Sequence, residues 1–238
     1  MQAEPLLSAH AIVRTYRDGS EVRAVRGASI ELLPKDFVAL LGPSGSGKTT
    51  LIGVLAGLDR PDEGEVRWKG RPMRELGPEG TNALRRGGMG IVFQSFGLLP
   101  ALSAVENVEL PLRVAGVSVD EARPRAEDWL SRLGLADRLH NRTFELSAGQ
   151  QQRVAVARAL VPKPEIVLAD EPIAEVDTEN ADLILDALWD VIRRGGAVLA
   201  ATHNPEALRY ASRVVLFRDG EVEAEGSPRD VAGRLTTD

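Results

Sequence analysis

The sequence of 238 residues predicts an α/β fold built on a mostly parallel sheet. Apolar runs of strand length alternate along the chain with segments of helical spacing, a pattern typical of parallel sheets. Four of these strands end in residues suited to ligand binding: Gly42, Gln94, Asp170 and His203. Ligands bind at the carboxyl ends of strands in such sheets, so these four positions are expected to converge.

A phosphate-binding loop is predicted where one of these strands ends, because the chain there matches G-x-x-x-x-G-K-[ST]. Phe37–Leu41 before it is typical of a buried strand, and Thr50–Ala56 after it is typical of a helix. Inward-facing backbone N–H groups and the helix dipole would hold an anion. A glycine- and serine-rich turn is the alternative, which the flanking elements disfavour. The residues expected to contact nucleotide are Gly42, Pro43, Ser44, Gly45, Ser46, Gly47, Lys48, Thr49 and Thr50.

Two strands are predicted ahead of this loop, over residues 6–16 and 22–32, with a turn at Arg17–Ser20. The second strand alternates apolar and polar residues over 28–32, as a half-buried strand does. Tyr16 closes the first strand. Its ring is able to stack on a purine or simply to pack in the sheet, and the residues alone leave both open.

Strands at Glu65–Trp68 and Gly90–Phe93 follow, and helical spacing then replaces the β pattern over 98–146. This stretch is predicted to be a helical insert, with helical spacing over 107–112 and over 120–139. The second helix has two possible starts. Ser118 with Glu121 fits a capping box, whereas Pro124 favours a start near Arg123.

The last part of the chain returns to alternating helices and strands. Ser147 is predicted to cap a helix over Ala148–Val161, and strands at 165–169 and 197–201 flank a helix at 181–192. Asp-Gly between the strands at 214–217 and 221–223 predicts a hairpin. No repeat or linker is apparent, so one compact unit is expected.

The polar strand ends predict phosphoryl-transfer chemistry, which depends on positioning and charge neutralisation. Asp170 would hold Mg²⁺ beside the Thr49 hydroxyl, and Lys48 would reach the β- and γ-phosphates. Glu171 would polarise an attacking water. Gln94 would contact metal and water, and His203 would add to the electrostatics. The alternatives are an acidic pair at a helix start, a structural histidine and an exposed loop glutamine.

Composition excludes several classes of protein. The net charge of −6 argues against a nucleic-acid partner, which requires a basic surface. The absence of cysteine excludes disulfides, thiolate metal sites and a cysteine nucleophile. Met1–Pro5 lacks the basic start of a signal peptide, and no apolar run approaches the ~20 residues of a membrane helix. Any work at a membrane is therefore expected to go through a partner.

Taken in order, the motifs resemble those of the ATP-binding subunit of an ABC transporter, from end to end of the chain. The matching stretches are Gly42–Thr49 (Walker A), Gln94 (Q-loop), Leu146–Gln150 (signature), Ile166–Asp170 (Walker B), Glu171 (catalytic glutamate), Asp177 (D-loop), His203 (switch histidine) and Tyr16 (adenine stacking). The segment Arg85–Leu112 most resembles the subgroup that includes ATPases for lipoprotein release and macrolide export.

The resemblance implies a P-loop NTPase with a RecA-like core, an N-terminal antiparallel β subdomain and a helical subdomain over 95–161. The rest of a single 1–238 domain, 1–94 and 162–238, would form the β-rich parts. ATP and Mg²⁺ would be the cofactors. Each ATP would lie between the Walker motifs of one subunit and Ser147, Ala148, Gly149 and Gln150 of the other. A permease would dock near the Q-loop and helical insert, holding the subunit at the cytoplasmic face of the membrane.

Some positions depart from the family pattern. They are Ala148 for the first glycine of the signature, Lys35 where glycine is usual, and Ile173, Glu175 and Val176 before Asp177. The hypothesis is that hydrolysis is slow, or that the chain pairs with a non-identical ATPase.

Other functions stay open on the sequence alone. A nucleotide-dependent switch of the same fold could regulate a membrane partner with little transport. ABC proteins of DNA repair or translation usually carry coiled-coil insertions or tandem ATPase units, which this chain lacks. A P-loop kinase would leave the signature and His203 unexplained.

Overall fold

A computed structural model describes residues 4–174 and 176–235, so Met1–Ala3 and Glu175 of the sequence predictions lie outside the described residues. The strands are β1 (Leu7–Asp18), β2 (Ser20–Leu32), β3 (Phe37–Leu41), β4 (Glu63–Trp68), β5 (Arg71–Pro72), β6 (Met89–Val92), β7 (Ile166–Asp170), β8 (Ala197–Thr202), β9 (Arg213–Arg218) and β10 (Glu221–Gly226). The α-helices are α1 (Lys48–Leu55), α2 (Met73–Gly87), α3 (Ala104–Val114), α4 (Val119–Arg132), α5 (Ala148–Leu160), α6 (Thr178–Arg193) and α7 (Pro228–Leu235).

The larger sheet is mostly parallel, as predicted. Its strand order is β10-β9-β3-β8-β7-β6, and all neighbouring pairs are parallel except the β9–β10 hairpin. The hairpin turns at Asp219 and Gly220, which both have positive φ, as a two-residue turn requires. Because β3, β8, β7 and β6 are adjacent, their carboxyl ends share one edge of the sheet.

The smaller sheet is antiparallel, with strand order β2-β1-β4-β5. Strands β1 and β2 extend further than the sequence predicts and pair up to Asp18 with Ser20. Gly19 alone makes the turn, with φ of 75°. This sheet is the antiparallel subdomain that the family resemblance implies.

Strand burial follows from helices covering both faces of the parallel sheet. All five residues of β3 and of β7 are buried. Along β3, Phe37 packs against Trp189 of α6 and Tyr210, whereas Val38 and Leu40 belong to the core that includes α1 and the antiparallel sheet. Continuous apolar strands are expected for a parallel sheet covered on both faces.

The structure decides between the two possible starts of α4, at Ser118 or near Arg123. Ser118 caps it, its hydroxyl accepting from the Glu121 backbone N–H at 3.3 Å. Pro124 therefore lies inside the helix. The helix ends at Arg132, and Gly134 with φ of 69° follows its C-cap, so the predicted extension to residue 139 was too long.

Helix α2 is an element that the sequence patterns did not indicate. Gly77 adopts φ 66° and ψ 179° inside it, and Pro78 follows, so the helix is kinked. Glycine followed by proline normally marks a loop, which explains the omission.

Lys35 adopts φ of 69°, a left-handed conformation that glycine adopts without strain. Its backbone N–H donates to Gly196 O at 2.8 Å. The conformation explains why glycine is usual at this position. Within the described residues, no helix is both long and apolar enough to cross a bilayer.

Candidate nucleotide site

The glycine-rich loop closes around the side chain of Lys48. Its Nζ donates to the carbonyls of Gly42 at 2.7 Å and Pro43 at 2.9 Å. Burial lowers the Lys48 pKa, and the negative charges of Glu171 and Asp170 oppose this shift. Ser46 is buried, and its Oγ has no hydrogen-bond partner among the described residues. An anion within the loop would supply the missing partner for Ser46 and a counter-charge for Lys48.

Two glycines of the loop are required by close backbone contacts. A Cβ on Gly42 would lie 2.0 Å from Phe217 O, and one on Gly47 would lie 2.1 Å from Ala24 O. Gly47 also has φ of 101° and caps α1. The loop therefore fits between β2 and β9 only without side chains at these positions.

Replacing Gly47 with Ala is expected to lower the free energy of unfolding by about 2–4 kcal/mol and to abolish ATP binding, because backbone must move. Gly45→Ala is the matched control. Gly45 has φ of 80° but nothing within 4 Å of an added Cβ, so only the ~1 kcal/mol conformational penalty applies. Chemical denaturation and nucleotide titration of both variants test this. Equal destabilisation of the two would contradict the steric explanation.

The two carboxylates after β7 have different surroundings. Asp170 is buried, and the Thr49 side chain lies near enough to lower its pKa. The Asp170 pKa is nevertheless raised, chiefly by burial and also by the charge of Glu171, against the effects of Thr49 and Lys48. Asp170 and Thr49 thus lie side by side, as two ligands of one metal ion would.

Glu171 adopts φ of 50°, and its backbone N–H donates to Ala201 O at 2.8 Å. One carboxylate oxygen, Oε1, lies 2.9 Å from His203 Nδ1. The other, Oε2, is buried with no partner within the described part of the chain. Such an oxygen is available to accept a proton or a hydrogen bond from water. The His203 side chain is 64% exposed, so it forms the open side of this pair.

Gln94 lies at the same edge of the sheet. Val92 of β6 pairs with Ala169 of β7, and Gln94 follows two residues later. Its side chain is exposed and forms no hydrogen bond with any described residue. The structure thus brings Gln94 to the expected edge, where the described residues show no hydrogen bond between it and Asp170.

Tyr16 is held in place by residues that the sequence did not single out. Its hydroxyl donates to Asp59 Oδ2 at 2.8 Å, and the Arg14 guanidinium lies 4.7 Å from the ring centroid. Arg14 also pairs with Asp59 at 2.8 Å. Tyr16 is 38% exposed, so its ring is available for stacking. Residues i and i+2 lie on the same face of a strand, so the sequence could have suggested Arg14 as a neighbour of Tyr16. No local pattern indicates Asp59.

The signature segment begins α5, as predicted. Ser147 Oγ accepts from Gln150 N–H at 3.3 Å, and Gln150 Oε1 accepts from Ser147 N–H at 2.9 Å. Ser147 and Ala148 are exposed, and Gly149 is half-buried. The capping box stays within the first turn, so this helix start faces outward from the chain.

Asp177 caps α6 by accepting from Asn180 N–H at 2.9 Å. Hydrogen bonds with Asn180 lower its pKa. Ile173 is buried and Val176 half-buried. These apolar replacements therefore pack inward, on the helical side of the core.

Comparisons with known proteins agree with this geometry. A family profile described as "ABC transporter" matches residues 25–174. The lipoprotein-releasing system ATP-binding protein LolD of Maricaulis maris is 45% identical, over 91% of this chain and 96% of that protein. The macrolide export ATP-binding/permease protein MacB of Marinobacter nauticus is 40% identical over 100% of this chain, which spans 37% of MacB.

A solved structure extends the likeness to three dimensions. The ATP-binding cassette MJ0796, in a dimeric post-hydrolysis state bound to ADP and Pi, matches with a TM-score of 0.88 and 37% identity. The match covers 94% of this chain and 99% of that one. Together with the loop, the paired carboxylates and the signature helix, these matches show that the chain belongs to the ABC transporter family as an ATP-binding, ATP-hydrolysing subunit.

Proposed function

We propose that this chain hydrolyses Mg-ATP as a dimer and that the resulting motion drives a membrane permease. The observation that carries the proposal is the convergence of Lys48, Asp170, Glu171 and His203 at one edge of the parallel sheet. The described parts would act as one cassette, in which segment 95–161 is inserted into the core formed by 1–94 and 162–238. Because the named relatives are transport proteins, a switch without transport is not favoured.

Each residue of the cluster has a role that its surroundings support. Lys48 and the loop N–H groups would bind the phosphates of ATP. Glu171, with its unpartnered Oε2, would accept a hydrogen bond from the attacking water. His203 would hold Glu171 through Oε1 and face the γ-phosphate from the exposed side. Tyr16 would stack on adenine, and Gln94 would approach the γ-phosphate from the neighbouring strand.

The donor set fits Mg²⁺. The described residues contain no cluster of three His, Cys, Asp or Glu side chains suited to a metal. Asp170 beside Thr49 provides instead one carboxylate and one hydroxyl, with Gln94 just beyond the end of the adjacent strand. Mg²⁺ is usually held by one or two protein oxygens together with phosphates and water. When bound, it would neutralise charge on the phosphates.

A dimer accounts for the position of the signature helix. The exposed start of α5 would contact the ATP of a second subunit, through Ser147, Gly149 and the helix dipole. A dimeric relative, the MJ0796 cassette, supports this arrangement. The second subunit would be a copy of this chain or a related ATPase.

The permease would bind near the Q-loop and the helical insert. The large apolar residues exposed in this region include Phe93 at 37%, Leu99 at 45% and Phe144 at 77%. The bridge between Ser103 and Arg142 connects the segments that carry Leu99 and Phe144. Exposed apolar side chains mark contact surfaces when they cluster. The subunit would then lie at the cytoplasmic face of the membrane, in a lipoprotein-release or macrolide-export type of complex.

The direct test is ATP hydrolysis by the purified chain, followed by affinity purification of a tagged chain with its membrane partner. Phosphate release that requires Mg²⁺ and stops on chelation is expected. A membrane protein with several transmembrane helices should copurify. Mg²⁺-independent phosphate release, or copurification of only soluble partners, would contradict the proposal.

Ala148 supplies a further prediction about the rate. Its methyl group lies on the exposed first turn of α5, where a phosphate would approach. Removing ~1 kcal/mol of crowding corresponds to about fivefold in rate, so Ala148→Gly should raise ATP turnover about that much. Glycine should also cost up to ~1 kcal/mol of helix stability. Steady-state kinetics and thermal unfolding are the measurements. A rate that falls with the stability would show that the methyl group is not an obstacle.

A further inference from the structure

Arg158 connects the helix that carries the signature to the loop that carries Gln94. It lies on α5, about 16 Å along the helix from Ser147. Its guanidinium donates from Nη2 to Phe96 O at 2.8 Å and from Nη1 to Gly97 O at 2.5 Å. These contacts span more than 60 positions of sequence and join α5 to the loop that follows β6.

The loop that Arg158 contacts has an unusual backbone. Phe96 and Gly97 both have positive φ, 61° and 59°. Internal hydrogen bonds run from Phe96 N–H to Phe93 O at 3.0 Å and from Gly97 N–H to Ser95 O at 2.6 Å. Non-glycine residues adopt positive φ only where surrounding contacts hold them. Arg158 binds the carbonyl oxygens of these same two residues.

The charge of Arg158 is otherwise uncompensated. Among the described residues, no carboxylate forms an ion pair with it, and burial lowers its pKa. Arg158 is half-buried, and a cation partly withdrawn from water requires acceptors, which the two loop carbonyls provide. An apolar side chain would fill this space without that cost, so the guanidinium serves the loop rather than the packing of α5.

We propose that Arg158 is a positioning residue that fixes Gln94 relative to the signature helix. Gln94 precedes Phe96 by two residues, so a loop released from Arg158 would no longer hold its amide at the γ-phosphate. The same helix presents Ser147 at its other end. Arg158 thereby links the Gln94 of one nucleotide site to the signature segment that serves the other. This inference rests on the proposed dimer and on the proposed role of Gln94.

The test compares Arg158→Met, Arg158→Lys and Arg125→Met in the full-length protein. Arg125 is a matched control, because its Nη2 donates to Val161 O at 3.0 Å at the end of the same helix without contacting the loop. Hydrogen exchange of the 93–97 amides reports the loop directly and requires no ATPase activity. Steady-state kinetics report its consequence.

Arg158→Met should speed exchange over 93–97 at least about tenfold and lower kcat about 10- to 100-fold, with the KM for ATP within about threefold. Arg158→Lys, which retains one donor, should fall between Met and wild type in both measurements. Arg125→Met should change neither exchange in the loop nor kcat. In a Gln94→Ala background, adding Arg158→Met should lower kcat by less than about a further threefold, because both substitutions act through the Gln94 side chain.

Unchanged loop exchange in Arg158→Met would overturn the inference, whatever the activity. Faster exchange with unchanged kcat would also overturn it, because the loop would then not position Gln94. A wild-type chain without Mg²⁺-dependent hydrolysis would instead refute the proposed function, while the exchange measurement would still decide whether Arg158 holds the loop.

Discussion

Glu171→Gln is expected to lower ATP turnover at least about 100-fold while leaving ATP binding intact. Glu171 is buried beside His203, and its unpartnered Oε2 is able to accept the proton of an attacking water. Glutamine has nearly the same shape but a neutral, weakly basic amide. Substrate binding through Lys48 and the loop should persist, so the variant should accumulate with ATP bound.

The second expected consequence is a stable dimer. If ATP closes two subunits and hydrolysis reopens them, blocking hydrolysis should trap the closed form. Light scattering after size exclusion should give twice the monomer mass with Mg-ATP and the monomer mass without it. Glu165→Gln is the matched control, because Glu165 precedes the opposite end of β7 and pairs at the surface with Lys69. It should keep wild-type turnover.

Two results would contradict this prediction. Turnover above about one third of wild type would remove Glu171 from the water-activating role, and His203 alone would then need to replace it. A variant that stays monomeric when saturated with ATP would contradict ATP-driven closure of the dimer. It would not contradict the catalytic role of Glu171. The two measurements therefore test the chemistry and the dimer separately.

The parts of the site predicted from sequence are those fixed by local pattern. The loop at Gly42–Thr50 has fixed spacing, and the ends of apolar parallel strands must meet at one edge of a sheet. Asp170, Glu171 and His203 could therefore be assigned together. The Glu171–His203 contact needed only that β7 and β8 be neighbours, which the structure confirms.

What the sequence did not indicate depends on contacts between distant segments. Asp59 holds Tyr16 from 43 positions away, and Arg158 binds carbonyls 61 and 62 positions away. Neither residue type nor spacing marks such pairs, since an aspartate or arginine at these positions is unremarkable on a surface. Helix α2 was missed for a different reason: Gly77 and Pro78 disrupt the helical pattern that flanks them.

The composite site makes its own prediction, which a mixture of two inactive variants tests. Lys48→Ala removes phosphate binding, and Ser147→Arg places a bulky cation on the exposed start of α5. In a dimer with shared sites, each homodimer has two defective sites. A mixed dimer has one site with both defects and one with none, because the intact loop of the Ser147→Arg subunit faces the intact signature of the Lys48→Ala subunit.

Each variant alone should retain no more than about 1% of wild-type ATP occlusion. An equal mixture that assorts at random should recover about a quarter of the intact sites. Filter retention of labelled ATP in the Glu171→Gln background measures this without requiring turnover. Mixing Lys48→Ala with Lys48→Ala/Ser147→Arg is the control, since no pairing there restores a complete site. Recovery in the first mixture but not in the control requires that Ser147 act across the interface. No recovery, at concentrations where Glu171→Gln dimerises, means that the signature contributes to the nucleotide site of its own chain or to no site.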